Sequence, residues 1–141
     1  MDRITLPLFP RWFRLAGVVA VAAVIFYLSV VTVPPEQAVA PKPDLVPLDK
    51  WRHFLAYAAF GASVAYVLVE SRRGLYLKMG AVFLVALTYG VGIEAWQAFL
   101  PRRYFGIEDA VANGIGAGLS LLWYAIEPRT RFVPLARLRG R

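Results

Sequence analysis

The chain has 141 residues, enough for one domain, and 59% of them are hydrophobic, with a mean hydropathy of +0.55. That is well above the roughly 45–50% apolar share of soluble domains and places the chain in a membrane class. The absence of cysteine excludes disulfides, thiolate nucleophiles and Cys-based metal sites. The net charge of +7 comes with no nucleic-acid-binding motif, and its cations flank apolar runs, where they orient helices and meet lipid headgroups.

About 20 apolar residues cross ~30 Å of hydrocarbon at helical rise. Residues 1–14 form a basic N-terminal segment, and Leu15–Val33 is the first predicted span. Arg11, Arg14 and "AVA" at 38–40 imitate a signal peptide with its cleavage site. The run of 19 residues exceeds a typical apolar signal core, so it reads as a retained anchor. Pro34–Pro47 contains five prolines and is not regular helix. Phe54–Val69 is the second span, Ser71–Gly74 a hairpin turn, Lys78–Leu100 the third span, Pro101–Gly106 a second turn and Ala110–Ile126 the fourth span. Residues 127–141 form a basic tail.

These elements predict an all-α fold, an integral membrane four-helix bundle over residues 15–126. The side carrying the termini and the 71–74 turn holds eleven cations, against five on the other side: Lys42, Lys50, Arg52, Arg102 and Arg103. By the positive-inside rule both termini are cytoplasmic.

Three spans then place polar residues at one outer level. Asp49, His53 and Tyr57 follow at i, i+4 and i+8, one stripe of a helix, whereas Trp51 and Arg52 point elsewhere as interfacial anchors. Glu94 and Gln97 share a face, and Glu94 lies roughly 10 Å below the outer boundary at helical rise. An acid at the helix centre costs about 3 kcal/mol, less toward the interface, so Glu94 is expected to face the bundle with a partner or a proton. Asp109 and Asn113 share a face of the fourth span. Ala112-xxx-Gly116 and Gly114-xxx-Gly118 offer small ridges for close helix approach.

His53 is the candidate general acid or base, with Asp49 one turn back to set its tautomer, and Glu94 and Asp109 complete the candidate proton-handling set. Lys50 and Arg103 are candidate phosphate binders, Lys as a point charge and Arg through its planar fork; Arg102 reads as an anchor. Gln97, Asn113 and Tyr57 are candidate substrate contacts, orienting groups or interhelical glue. No metal or other cofactor is expected: one histidine among three acids lacks a metal-ligand spacing such as HExxH.

The stretches "IFYLS", "LDKWRHFLAYAAFG" and "EAWQAFLPRRYFGIEDAVANGIGAG" resemble the VanZ-like family of small integral membrane proteins, over about residues 24–122. The resemblance implies that the recurring polar positions are Asp49, Lys50, His53, Tyr57, Glu94, Gln97, Arg103, Asp109 and Asn113, with Gly116 a packing position. Gly106 departs from the pattern, since many relatives carry an acid or a small polar residue there. The family takes its name from a protein associated with teicoplanin resistance, and fold and phenotype do not specify a reaction.

The expected function is an outer-leaflet polar pocket that binds or modifies an envelope lipid or lipid-bearing molecule, with membrane lipids as partners, no nucleic acid, and no assigned oligomeric state. Two alternatives stand beside it: a non-catalytic structural envelope protein, and a small dimeric transporter with Glu94 as its coupling acid.

Overall fold

The computed structural model describes residues 3–32, 48–100 and 106–138, and for 48, 49 and 138 the backbone alone. The chain is mostly helical. In order run β1 (Ile4–Leu8), α1 (Arg11–Phe26), a π-helical turn (Tyr27–Val31), α2 (Leu48–Val67) with a 3₁₀ end (Leu68–Glu70), and α3 (Leu75–Gln97). Then come α4 (Ile107–Ser120), α5 (Trp123–Ile126), a 3₁₀ turn (Glu127–Arg129), β2 (Thr130–Pro134) and α6 (Leu135–Leu138).

Among the described residues three helices are long and apolar enough to cross a membrane: Arg11–Val31, Lys50–Glu70 and Leu75–Gln97. Each is apolar on most of its circumference, so each buries little against its neighbours and leaves the rest for hydrocarbon. The fourth predicted span is realised differently. α4 has 14 residues, ~21 Å at helical rise, and the chain turns at Leu121 and Leu122 before α5 continues.

α2 packs against α1, α3 and α4. Glycines set the close approaches. A Cβ on Gly116 would fall 2.7 Å from the Phe54 carbonyl and 2.9 Å from Tyr57 Cβ, and one on Gly90 would fall 2.9 Å from both Tyr57 and Asn113. Of the two small ridges in α4, Ala112/Gly116 is therefore the one pressed onto α2, whereas Gly118 meets nothing within 4 Å. Ile25, Tyr57, Phe60, Ala86 and Ala117 form one apolar core, and Ala65, Val82 and Tyr124 a second.

The chain ends meet where the C-terminus of α2 and the start of α3 lie. β1 and β2 pair in parallel, Ile4 opposite Thr130 through Leu8 opposite Pro134. From the sequence both segments are basic extensions with no predicted strand. Each strand is only five residues long, and a parallel partner must come from a distant part of the chain, so no local pattern announces the pair.

Beneath the sheet, Arg14 is buried. Its guanidinium donates to the Tyr66 and Val67 carbonyls at 2.9 and 3.2 Å and pairs with Glu70, closing the C-terminus of α2. The Tyr66 hydroxyl donates to the Pro7 carbonyl at 2.7 Å, and Lys78 pairs with Glu127 at 3.2 Å. This end is latched, and the candidate site lies at the other.

Candidate functional site

At the opposite end, the start of α2, the end of α3 and the start of α4 bring one short stretch each of polar side chains together. A line of hydrogen bonds crosses all three helices. Asn113 Nδ2 donates to Glu94 Oε1 at 3.4 Å, which leaves Asn113 Oδ1 to accept from His53 Nδ1 at 2.7 Å. With Asn113 holding Nδ1, the proton on that nitrogen is engaged, and Nε2 is the ring atom turned outward, 3.8 Å from Asp109 Oδ1. Asp109 in turn pairs with Lys50, whose ammonium also lies 3.7 Å from Glu108.

Depth grades along this line. Glu94 and Asn113 are 1% and 0% exposed, the His53 and Asp109 side chains 23% and 30%, and the Glu108 side chain 87%. The cluster thus runs from the sealed interior of the bundle to an open mouth. At its foot Glu94 Oε2 and the Tyr57 hydroxyl are buried without a hydrogen-bond partner among the described residues. Gly90, one turn before Glu94, makes room for both Tyr57 and Asn113. The Tyr57 ring lies against Tyr89, centroids 6.4 Å apart, and the Tyr89 hydroxyl donates to the Ala22 carbonyl at 2.6 Å.

Of the residues singled out in the sequence, the structure brings Lys50, His53, Tyr57, Glu94, Asp109 and Asn113 into one neighbourhood. Gln97 is buried on another side of α3, where its amide donates to the Ser29 carbonyl at 2.7 Å in the π-helical turn, tying α1 to α3. Trp51 and Arg52 are exposed. Arg102 and Arg103 lie outside the described residues, as does the Asp49 side chain, although the Asp49 backbone belongs to α2. Glu108 escaped the sequence reading. Its signal was its place beside Asp109 in the first turn of α4, where acids are favoured by the helix dipole. The departure at Gly106 also acquires a geometry: a Cβ there would fall 2.8 Å from Asp109 Oδ2, so a side chain at this position would displace the partner of Lys50.

The arrangement brings together an oriented imidazole, a buried carboxyl behind it and an ion pair at the mouth. The family model of VanZ/LLP1 matches residues 13–127, and the chain belongs to that family. No curated protein and no solved structure matches it.

Proposed function

We propose that the chain is a four-helix membrane protein, α4 and α5 together making the fourth crossing, whose polar cluster opens at the outer leaflet. There it binds or modifies a polar or phosphorylated envelope lipid or lipid-bearing molecule, a role linked to glycopeptide (teicoplanin) resistance. Among the described residues Arg3, Arg11, Arg14, Arg72, Arg73, Lys78, Arg129, Arg131 and Arg137 belong to the end carrying the sheet, against Lys50 and Arg52 at the other. That asymmetry supports a cytoplasmic sheet and an outward-facing cluster.

The observation that carries the reading is the hydrogen-bonded line from Glu94 through Asn113 to His53, which no single helix needs for its own folding. In this role Asn113 orients the imidazole, Nε2 exchanges a proton with the ligand, and Glu94 answers the charge from behind. Lys50 meets the headgroup. An anionic group competes first with the exposed Glu108 and then with Asp109. Arg103, next to the mouth in sequence, is proposed as a second cation for the same group.

A structural reading also has an observation behind it: Lys50 pairs with Asp109 and His53 with Asn113, each across the α2–α4 interface. The two readings separate in one experiment. Lipids accompanying the wild type and the Lys50→Gln and His53→Gln variants through mild detergent purification are identified by mass, alongside each thermal unfolding midpoint. The proposal expects a defined lipid on the wild type that folded variants lose. Identical bulk lipids on all three, or losses that only follow unfolding, would leave the cluster as a packing device.

A further inference from the structure

On the side of α3 away from the polar cluster lies an open groove of about 640 Å³ between α1, α2 and α3, lined by Phe26, Phe60, Leu84, Gly92, Ile93 and Trp96 among others. The lining is almost wholly apolar, with Thr88 among its few polar residues and the Tyr89 hydroxyl turned to the Ala22 carbonyl. Phe26 meets Trp96 edge-on, centroids 6.2 Å apart, at the outer end. Gly92 leaves the wall open: a Cβ there would meet nothing within 4 Å.

We infer that this groove holds one hydrocarbon chain of a lipid from the same leaflet that the polar cluster faces. Depth is the first argument. From Leu84 to Trp96 the groove runs ~18 Å along α3 at helical rise. α3 has 23 residues, so the groove occupies its Gln97 half, close to the ~15 Å depth of one leaflet of a ~30 Å core. Extent is the second: the lining residues run only from Leu84 to Trp96 on α3, within one leaflet, whereas a spanning partner helix would lie along both.

A lipid seated here carries its headgroup at the level of Gln97 and Lys50. The proposal rests on the headgroup reading above only for which lipid is held; the groove stands or falls separately.

The test uses the full chain in vesicles of phosphatidylglycerol with a diazirine on one acyl chain, followed by mapping of labelled peptides. Three variants accompany the wild type: Gly92→Phe fills the groove, Gly92→Ala adds one methyl in open space, and Gly17→Phe adds the same ring to an exposed face of α1 with nothing within 4 Å. The expected result is labelling concentrated on α3 between Leu84 and Trp96, kept in Gly92→Ala and Gly17→Phe and lost in Gly92→Phe. Even labelling over the exposed faces of α1, α3 and α4, labelling at α3 that Gly92→Phe leaves unchanged, or a cross-link to a second copy in place of lipid would each overturn it. If Gly92→Phe removes the label while Lys50→Gln and His53→Gln still carry the wild-type lipid, the groove stands and the headgroup reading falls.

Discussion

His53 and Asn113 stand 2.7 Å apart, Nδ1 to Oδ1, across the α2–α4 interface, and the same Asn113 side chain reaches Glu94 with its other end. One amide therefore serves two ionisable groups on two helices. Asn113→Leu keeps the approximate volume but strands the imidazole nitrogen and the carboxyl together, at about 1–3 kcal/mol for each group left without a partner. The expected outcome is a lower thermal midpoint than that of either single variant, His53→Gln or Glu94→Gln. A midpoint equal to wild type would dissolve the hydrogen-bonded line.

Lys50 and Asp109 are partly exposed at the mouth, with Glu108 beside them. The two side chains are only 17% and 30% exposed, so leaving Asp109 without its partner costs more than the ~0–1 kcal/mol of a surface pair. Lys50→Gln is expected to lower the unfolding midpoint while the protein still folds, and to remove bound lipid. Exchanging the charges, Lys50→Asp with Asp109→Lys, restores a pair but moves the cation to α4; lipid binding is expected to stay lost. Recovery of binding by the exchanged pair would mean that the charge balance alone matters.

Gly116 and Gly118 lie two residues apart in α4 and are expected to behave differently. Gly116→Val drives a branched side chain into the Phe54 carbonyl and Tyr57, an overpacking that costs about 1–3 kcal/mol or more. Gly118→Ala meets open space and is expected to be neutral or slightly stabilising through helix propensity. Comparing the two unfolding curves checks which ridge carries the α2–α4 contact.

At the sheet end, Arg14→Met removes the donors to the Tyr66 and Val67 carbonyls, an expected loss of about 1–3 kcal/mol for the stranded acceptors. Glu70 is 58% exposed and is returned to water without a comparable penalty. Arg14→Met is therefore expected to be more destabilising than Glu70→Gln, as read by thermal unfolding in detergent. The reverse order would assign the latch to the ion pair rather than to the closure of α2.

What could be read in advance follows from the range of each interaction. The three long helices announce themselves through uninterrupted apolar runs, and Glu94 through the cost of an acid among them. The i, i+4 spacing of Asp109 and Asn113 puts both on the face of α4 that meets His53. The sheet was not legible, because Ile4–Leu8 and Thr130–Pro134 pair from opposite ends of the chain. Nor was the partner of Gln97, since a Ser29 carbonyl becomes available only through the π-helical turn that follows α1. The small-xxx-small spacing occurs on two faces of α4, and only the packed structure distinguishes Gly116 from Gly118.

His53 is the chain's one histidine, so protein labelled with ¹⁵N-histidine gives a single imidazole spectrum. Recording it in nanodiscs of neutral phosphatidylcholine and in nanodiscs of lipid extracted from the expressing cells tests directly whether the cluster meets a ligand. The account predicts that Nδ1 remains hydrogen-bonded to Asn113 in both, while the Nε2 signal moves in the cell lipid. The movement should be absent in Lys50→Gln. Identical spectra in the two lipids would contradict a ligand site at the mouth and leave His53 as part of the packing between α2 and α4.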